Sequence, residues 1–223
     1  MTIDPRFRGP EESGNGGYVC GRVAQLVGRE AEAEVTLRAP PPLGRPLRVE
    51  RDGVVRLWEG ERLIAEAEVA EVDVPIPSPV AFEAASDAAL PAGDPDSPFP
   101  NCFVCGRDRA PGDGLRIFAG PVPDTELVAA TWQPDASLCR PEFVWAALDC
   151  PGAYACEAIG RGAAVLGRLA ARVERVPHPG ERCVVVGWPL GEDGRKLFAG
   201  TVLFGEDEDV IGVARAVWIA PRD

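Results

Sequence analysis

The chain has 223 residues, of which 46% are hydrophobic and 26% are charged, a composition typical of a soluble globular protein with a sizeable core. Its 35 acidic residues against 23 basic ones give a formal charge of −12, which argues against nucleic-acid binding, because such proteins usually carry a basic stripe. No run approaches the roughly 18 apolar residues of a membrane span, and no apolar segment near the N-terminus is typical of a secretory signal. We therefore expect a cytoplasmic protein without nucleic-acid or membrane partners, whose seven cysteines are reduced thiols.

The first part of the chain predicts one helix followed by antiparallel strands. Residues 17–28 carry apolar side chains at helical spacing, and Ser13, Gly14 and Asn15 before them can cap a helix. Further along, apolar and polar residues alternate as in half-buried strands. These predicted strands cover 31–39, 46–52, 54–60 and 62–74.

Residues 76–100 are rich in Pro, Ala, Asp and Ser, which predicts a linker. Beyond it, a helix is predicted over 141–160. The strands predicted in this second part cover 114–120, 126–132, 164–176, 181–190, 195–205 and 209–220. Both parts place a helix, a strand, a Pro-rich turn and further strands in the same order, which indicates an internal duplication. We predict an α+β chain with units at 1–75 and 101–223.

Asp149 stands in a mainly apolar helical segment, Trp-Ala-Ala-Leu-Asp-Cys-Pro-Gly-Ala-Tyr-Ala. A buried carboxylate is costly unless it is paired or functional, and burial would raise its pKa and make it a candidate base or nucleophile. The alternative is an Asp on the solvated face of an amphipathic helix. Pro151 nearby should leave the carbonyl of Ala147 without its helical partner and kink the axis beside the carboxylate.

The sequence Gly14-Asn15-Gly16-Gly17 opens the first predicted helix. Free backbone N–H groups at a helix N-terminus, together with the positive end of the dipole, can hold an oxyanion. Glycines there let a ligand approach the backbone closely. The alternative is an ordinary capping turn.

His178 is the chain's single histidine, and it stands in a Pro-flanked stretch that reads as a turn. Ser-His-Asp triads, Cys-His dyads and His-rich zinc sites must use it or be absent. Cys102-x-x-Cys105 suggests zinc or redox chemistry only with partners, and the remaining cysteines show no second Cys-x-x-Cys spacing. We therefore predict no metal and no cofactor, and interpret the pair as packing residues at a turn.

These segments resemble the hotdog-fold acyl-CoA thioesterases. The resemblance rests on Asn-Cys-Phe-Val-Cys-Gly…Gly-Leu-Arg-Ile over 101–117, on the turn Pro-Pro-Leu-Gly-Arg-Pro-Leu over 41–47, and on the two helices. It covers most of 101–220 and, more faintly, 9–74. Many members begin their central helix with His-Gly-Gly and place an acid eight residues after the first glycine. The resemblance implies two tandem hotdog units, each a central helix wrapped by an antiparallel sheet, forming an intramolecular pseudo-dimer.

Carried over by position, each half keeps what the other has lost. Asn15 takes the place of the family's histidine and Gly16 that of the glycine whose N–H polarises the thioester carbonyl, but the acid position of that half is Ala24. In the other half Asp149 matches the acid, while the glycine position is Pro141, which has no N–H. The resemblance thus implies one composite site at which Gly16 and Asp149 meet. We expect the neighbouring residues to bind the substrate, namely Gly17, Tyr18, Trp145 and Tyr154.

Three functions follow from the resemblance. The first is a thioesterase acting on acyl-CoA or a related thioester, with Asp149 as base or nucleophile, Gly16 in the oxyanion hole and Asn15 orienting water or the carbonyl. The second, favoured by the missing histidine, is a protein that binds acyl-CoA or another apolar ligand without cleaving it. The third, a hydratase or dehydratase, generally needs a histidine, and His178 is badly placed. Association of pseudo-dimers into a homo-oligomer stays open.

Overall fold

One continuous antiparallel sheet of ten strands organises the computed structural model, which describes residues 1–28, 32–162 and 164–222. Ala31, the first residue of the predicted strand 31–39, and Asp223, the last residue of the predicted second unit, lie outside the described residues. The strands are β1 (Ala33–Leu37), β2 (Arg48–Asp52), β3 (Val54–Glu59), β4 (Arg62–Val69), β5 (Gly120–Pro121), β6 (Val128–Trp132), β7 (Val165–Val173), β8 (Cys183–Asp193), β9 (Lys196–Phe204) and β10 (Val210–Ile219).

Four α-helices accompany the sheet: α1 (Gly16–Ala24), α2 (Phe82–Ala88), α3 (Pro141–Ala147) and α4 (Cys150–Ala155). Short 3₁₀ turns occupy Pro5–Phe7, Ala136–Leu138 and Ile159–Arg161. Within the described ranges no helix is long and apolar enough to cross a membrane.

The sheet has two halves that match strand for strand. Its order is β2-β3-β4-β1-β7-β10-β9-β8-β6-β5, so β1 and β7 meet at the centre and each is followed outward by its own three-stranded meander. At the junction Val35 lies opposite Leu169 in an antiparallel register. The second half adds β6 and β5 beyond this shared pattern. The duplication predicted from the sequence is therefore an approximate twofold repeat within one sheet.

The two faces of the sheet are covered by different parts of the chain. Helices α1, α3 and α4 lie on one face, over a core that includes Val35, Leu169 and Val185. Segment 72–89, with α2, covers the opposite face of the second half, where it packs on Val184 and Val186. The first six residues of β8, 183–188, are therefore buried on both faces of the sheet, which explains their continuous apolar run. The predicted linker is a covering segment that contains a helix.

Two predicted elements differ from those observed. Residues 114–119 do not form a ladder strand, because their backbone partners are the irregular segment at Phe103 and Val104, to which Leu115 and Ile117 donate at 2.9 Å each. The helix predicted over 141–160 is two helices, α3 and α4, separated by Leu148 and Asp149.

Candidate active site

Helices α1 and α3 lie against each other at the centre of the molecule, and two glycines of α1 make the contact close. A Cβ at Gly17 would lie 2.5 Å from the Cβ of Asp149, and one at Gly21 would lie 2.7 Å from the Cβ of Trp145. Real side chains do not approach so closely, so both positions require glycine. The N-terminus of α1 is thereby brought against Asp149.

The break between α3 and α4 positions the carboxylate. Asp149 has φ −84° and ψ −80°, outside the helical region, and its side chain does not cap α4. Pro151 stands in the first turn of α4, where its missing N–H is harmless, and it cannot continue the hydrogen bonding of α3. Thr201 Oγ1 donates to the carbonyl of Leu148 at 2.7 Å and so satisfies an acceptor at the break. The kink predicted from Pro151 is present as this complete interruption.

Asp149 is 1% exposed, which excludes the solvated-face interpretation. Its Oδ2 accepts two hydrogen bonds of 2.8 Å, from Asn15 Nδ2 and from the backbone N–H of Gly17. Its Oδ1 has no partner in the part of the chain that the structure describes. One carboxylate oxygen is therefore fixed and the other is free.

Asn15 has two roles at this point. It is the N-cap of α1, where its Oδ1 accepts from the backbone N–H of Tyr18 at 2.9 Å. Its Nδ2 donates to Asp149, so one side chain fixes both the helix start and the carboxylate. The two alternatives predicted for this segment, a capping turn and a functional residue, therefore both apply to Asn15, whose functional role stays a prediction.

Burial raises the pKa of Asp149 to about 7, although the hydrogen bonds from Gly17 and Asn15 act in the lowering direction. Negative charge on the neighbouring Cys102 sulfur acts with burial to raise it. A carboxyl group that titrates near neutrality can accept a proton from water far better than an ordinary aspartate.

A cavity of about 420 Å³ opens beside this carboxylate. Asp149, Asn15 and Gly16 form its polar end. Among the described residues no hydrogen bond occupies the backbone N–H of Gly16. The apolar walls come from both halves of the chain and include Leu37, Pro40, Pro41, Phe99, Ile159, Leu166, Trp218 and Ile219. A largely apolar cavity with a few convergent polar groups is the usual form of a small-molecule site.

None of the four predicted substrate-binding residues lines the cavity, and this corrects their expected position. Gly17 is occupied by its contact with Asp149. Tyr18 is stacked on Phe7, with ring centroids 4.1 Å apart, and is 2% exposed. Trp145 packs against α1, and Tyr154 lies half-buried on α4, where its hydroxyl has no hydrogen-bond partner among the residues that the structure describes. Tyr18 and Trp145 therefore pack at the helix contact instead of lining the cavity.

The sequence did not predict which residues form the walls of the cavity. Leu166 and Ile219 lie on β7 and β10, and they face the cavity because the two halves meet there. Alternation along a strand predicts which residues share a face, but it does not tell which part of that face stays open. His178 is not among the lining residues, and its backbone N–H donates to Glu181 at 2.7 Å.

Three buried cysteines adjoin the carboxylate. The sulfur atoms of Cys102, Cys105 and Cys150 lie within 4.8 Å of one another, and all three residues line the cavity. Hydrogen bonds from the side chains of Cys105 and Cys150 hold the pKa of Cys102 well below its usual range. The same interactions raise the pKa of the other two thiols. The sequence supplied Cys102 and Cys105 as a pair but gave no sign that Cys150 joins them.

The opposite end of the helix pair has different chemistry. There α3 begins at Pro141, and its N-cap, Arg140, makes no side-chain capping bond. Ala24 is 5% exposed, and the adjoining Gln25 donates its Nε2 to Glu142 at 2.9 Å.

Several solved structures share this architecture. A protein of Thermobifida fusca described as a candidate thioesterase II superposes over 100% of this chain and 93% of its own, with a TM-score of 0.66 and 15% identity. A conserved protein of Alicyclobacillus acidocaldarius with a hotdog fold covers 99% of this chain and 92% of its own, with a TM-score of 0.62 and 9% identity. The chain has the hotdog fold. Its ten-stranded sheet repeats one four-strand pattern, in keeping with the double-hotdog arrangement that the sequence resemblance implied.

A third structure with this hotdog fold is a TesB protein of Mycobacterium avium subspecies paratuberculosis. It covers 94% of this chain and 88% of its own, with a TM-score of 0.57 and 13% identity. No protein-family model matches the sequence, and no curated protein matches it either. At these identities the likeness concerns the fold.

Proposed function

We propose that this protein hydrolyses an acyl thioester, of CoA or a related thiol, in the cavity between its two hotdog units. The observation that carries the proposal is the unpartnered Oδ1 of buried Asp149, a residue that lines the same cavity as Gly16. An acid and an N–H donor are the two groups that ester hydrolysis needs. The thioesterase descriptions of the Thermobifida fusca protein and the sequence resemblance support the same reaction.

In the proposed reaction, Asp149 Oδ1 takes a proton from a water molecule. At the same time the water oxygen attacks the carbonyl carbon of the thioester. The carbonyl oxygen becomes an oxyanion, to which the Gly16 N–H at the start of α1 donates. The tetrahedral intermediate then collapses and breaks the carbon–sulfur bond. The leaving thiolate takes the proton from the Asp149 carboxylic acid, which returns the carboxylate to its starting state.

Direct attack by Asp149 on the carbonyl is the second route by which the same residue could act. The attack would form a mixed anhydride as the carbon–sulfur bond breaks and the thiolate leaves, to be protonated by water, and a second water molecule would then hydrolyse the anhydride and return the Asp149 carboxylate. Both routes need the free oxygen, and in both Asn15 holds the other oxygen in place.

The apolar walls favour an acyl chain as the group that enters the cavity. Leu37 and Phe99 come from the first half and the connecting segment, and Leu166 and Ile219 from the second half. We propose unit boundaries at 1–75 and 101–223, with 76–100 connecting them, so that one chain supplies the complete site. We further propose a cytoplasmic location, in keeping with the free thiols of the described structure.

The first experiment measures hydrolysis of acyl-CoAs of increasing chain length, with acyl-CoA and free CoA separated by chromatography. Asp149→Asn removes the base but keeps an oxygen to accept from Asn15 and Gly17. We expect it to lower kcat about 10²- to 10⁴-fold. Glu142→Gln, which changes a buried acid at the opposite end of the helix pair, should leave kcat close to that of the unaltered protein.

Undiminished hydrolysis by Asp149→Asn would contradict the proposal. Tight binding of acyl-CoA without release of CoA would select the alternative function, a non-catalytic binding protein. That alternative draws on the Gly17 N–H and Asn15 Nδ2, because both donate to Asp149 and so neither is left to donate to a thioester oxygen. It also explains the absence of histidine from the cavity lining.

A further inference from the structure

The sulfur atoms of Cys102, Cys105 and Cys150 form a compact triangle at the cavity wall. The Cys102 and Cys150 sulfurs are 3.7 Å apart, and all three sulfurs lie within 4.8 Å of one another. Each of the three residues is 5% exposed or less. The proposed hydrolysis uses none of them.

The segment that carries two of these sulfurs is built as a rigid turn. Gly106 donates its N–H to the carbonyl of Cys102 at 2.8 Å, and a Cβ at Gly106 would lie 2.4 Å from that same oxygen, so only glycine fits. The backbone N–H groups of Leu115 and Ile117 fasten the turn from outside. The spacing Cys-x-x-Cys lets the two sulfurs of one turn approach the same metal ion.

The third sulfur comes from a different element. Cys150 begins α4, immediately after the interruption between α3 and α4 that also positions Asp149. Its place is fixed by Pro151 in the first turn of the helix and by the packing of α4 on the sheet. The three sulfurs are therefore held by two independently fixed backbone segments.

We propose that Cys102, Cys105 and Cys150 bind one thiophilic divalent metal ion, of the class of Zn²⁺, through three thiolates. In tetrahedral coordination with Zn–S distances of about 2.3 Å, two sulfurs stand about 3.8 Å apart, close to the spacing of the Cys102 and Cys150 sulfurs. Thiolate ligands select Zn²⁺ and softer ions over Mg²⁺ and Ca²⁺. A small adjustment of Cys105 completes the triangle.

The fourth coordination position faces the cavity, since all three cysteines line it. Asp149 Oδ1, buried and without a partner among the described residues, stands on the same wall. A water molecule or a ligand in the cavity would complete the coordination, the arrangement of zinc sites that keep an open position. This site does not depend on the proposed hydrolysis, because its tests read metal content and not turnover.

The test uses the full-length chain, reduced and freed of metal. It is titrated with Cd²⁺ alone, whose bonds to thiolates absorb in the ultraviolet, and separately exposed to one equivalent of Zn²⁺ before gel filtration and metal analysis. We expect one ion per chain. Cys102→Ser, Cys105→Ser and Cys150→Ser should each weaken binding more than about tenfold.

Cys156→Ser is the matched control, because Cys156 lies just beyond the end of the same helix and its sulfur faces the carbonyl of Ala153 instead. It should bind Cd²⁺ as the unaltered chain does. Absence of the thiolate–Cd²⁺ absorption at one equivalent, or its loss in Cys156→Ser, would overturn the proposal.

A second measurement needs no variant and so does not depend on whether the serine variants fold. Iodoacetamide labelling followed by mass spectrometry should show that Zn²⁺ protects the three clustered cysteines. Cys139, which is partly exposed and outside the cluster, should label equally with and without the ion. Equal labelling of the cluster with and without Zn²⁺ would also overturn the proposal.

Discussion

The two ends of the α1–α3 pair occupy equivalent places in the repeat but differ in every chemically important residue. At one end Asn15 caps α1, and two donors hold the buried Asp149. At the other end Pro141 begins α3 without an N–H, and Ala24 stands where the resemblance would place an acid. The buried Glu142 accepts from Gln25 there. The comparison shows that each end holds a buried carboxylate together with its own partners, since Glu142 at the second end accepts from Gln25 Nε2 at 2.9 Å and pairs with Arg140.

The largest effect is expected from placing an acid at the second end, at the position of Ala24. Ala24→Asp would bury a carboxylate next to Gln25, whose amide already donates to the buried Glu142, and we expect it to lower the free energy of unfolding by about 3 kcal/mol or more. Urea denaturation at neutral pH measures the loss. Ala24→Asn is the uncharged control of matched size and should lose clearly less stability. Equal stability of the two variants would mean that donors are not what separates the ends.

The close helix contact at the first end gives the next largest effect. Gly17→Ala would put a methyl group 2.5 Å from the Cβ of Asp149 and 2.7 Å from the carbonyl oxygen of Trp145. We expect a destabilisation of about 1–3 kcal/mol, since the helices must separate, and a loss of hydrolysis with it. Gly160→Ala, where nothing lies within 4 Å of an added Cβ, should leave the unfolding midpoint unchanged. An unaltered midpoint in Gly17→Ala would show that the helix contact is looser than the structure has it.

The two helix caps provide a smaller contrast. Asn15→Ala removes the capping bond to Tyr18 and should cost about 1 kcal/mol, measured by thermal unfolding. It also removes a donor that lowers the pKa of Asp149, so that pKa should rise further. Arg140→Ala changes the N-cap of α3, which makes no side-chain capping bond, and should cost less. If the two variants lose the same stability, the cap at Asn15 contributes nothing of its own.

The two Pro-rich turns differ as well, and this difference predicts a modest pH effect. The first turn contributes Pro40 and Pro41 to the cavity, whereas the second leads into Glu181, which pairs with Arg175 together with Asp209. Hydrogen bonds from Arg175 lower the pKa of both acids. Their contribution to stability is therefore present above their unfolded pKa values and is lost as the pH falls through the lowered folded values.

Thermal unfolding between neutral and acid pH checks this prediction. The unaltered chain should lose stability in acid more steeply than Glu181→Gln, whose acid-labile pair is already broken. Parallel curves for the two proteins would contradict the role given to the Arg175 network.

The strands and the first helix could be predicted because their signals are local. Alternating residues and turn glycines mark β2, β3 and β4, and Asn15 marks the start of α1. The strand predicted over 114–120 was wrong for 114–119. The backbone partners of these residues lie in an irregular turn, and the spacing of apolar residues in the sequence does not reveal such a partner. The continuity of the sheet through β1 and β7 depends on how two distant segments pair, and only the resemblance pointed to it.

The site shows the same limit. The resemblance indicated Asp149 and Gly16 as site residues, and in the structure both line the same cavity. Their roles stay predictions. Cys150 is 48 residues from Cys102, so no spacing rule connected them. The cavity walls depend on which part of a buried face remains uncovered, a property of the packed molecule and not of any segment.

The segment between β4 and β5 connects the two half-sheets in one polypeptide, and this has a consequence for how the two helix ends can vary. In a homodimer every substitution is made twice, so a residue suited to one helix end must also be tolerated at its mate. Here Pro141 and Ala24 occur once each, and neither change touches Asn15 or Asp149. Connecting the halves in one chain frees the two ends to diverge, so that one holds Asp149 beside the cavity and the other holds Glu142 with Gln25 and Arg140.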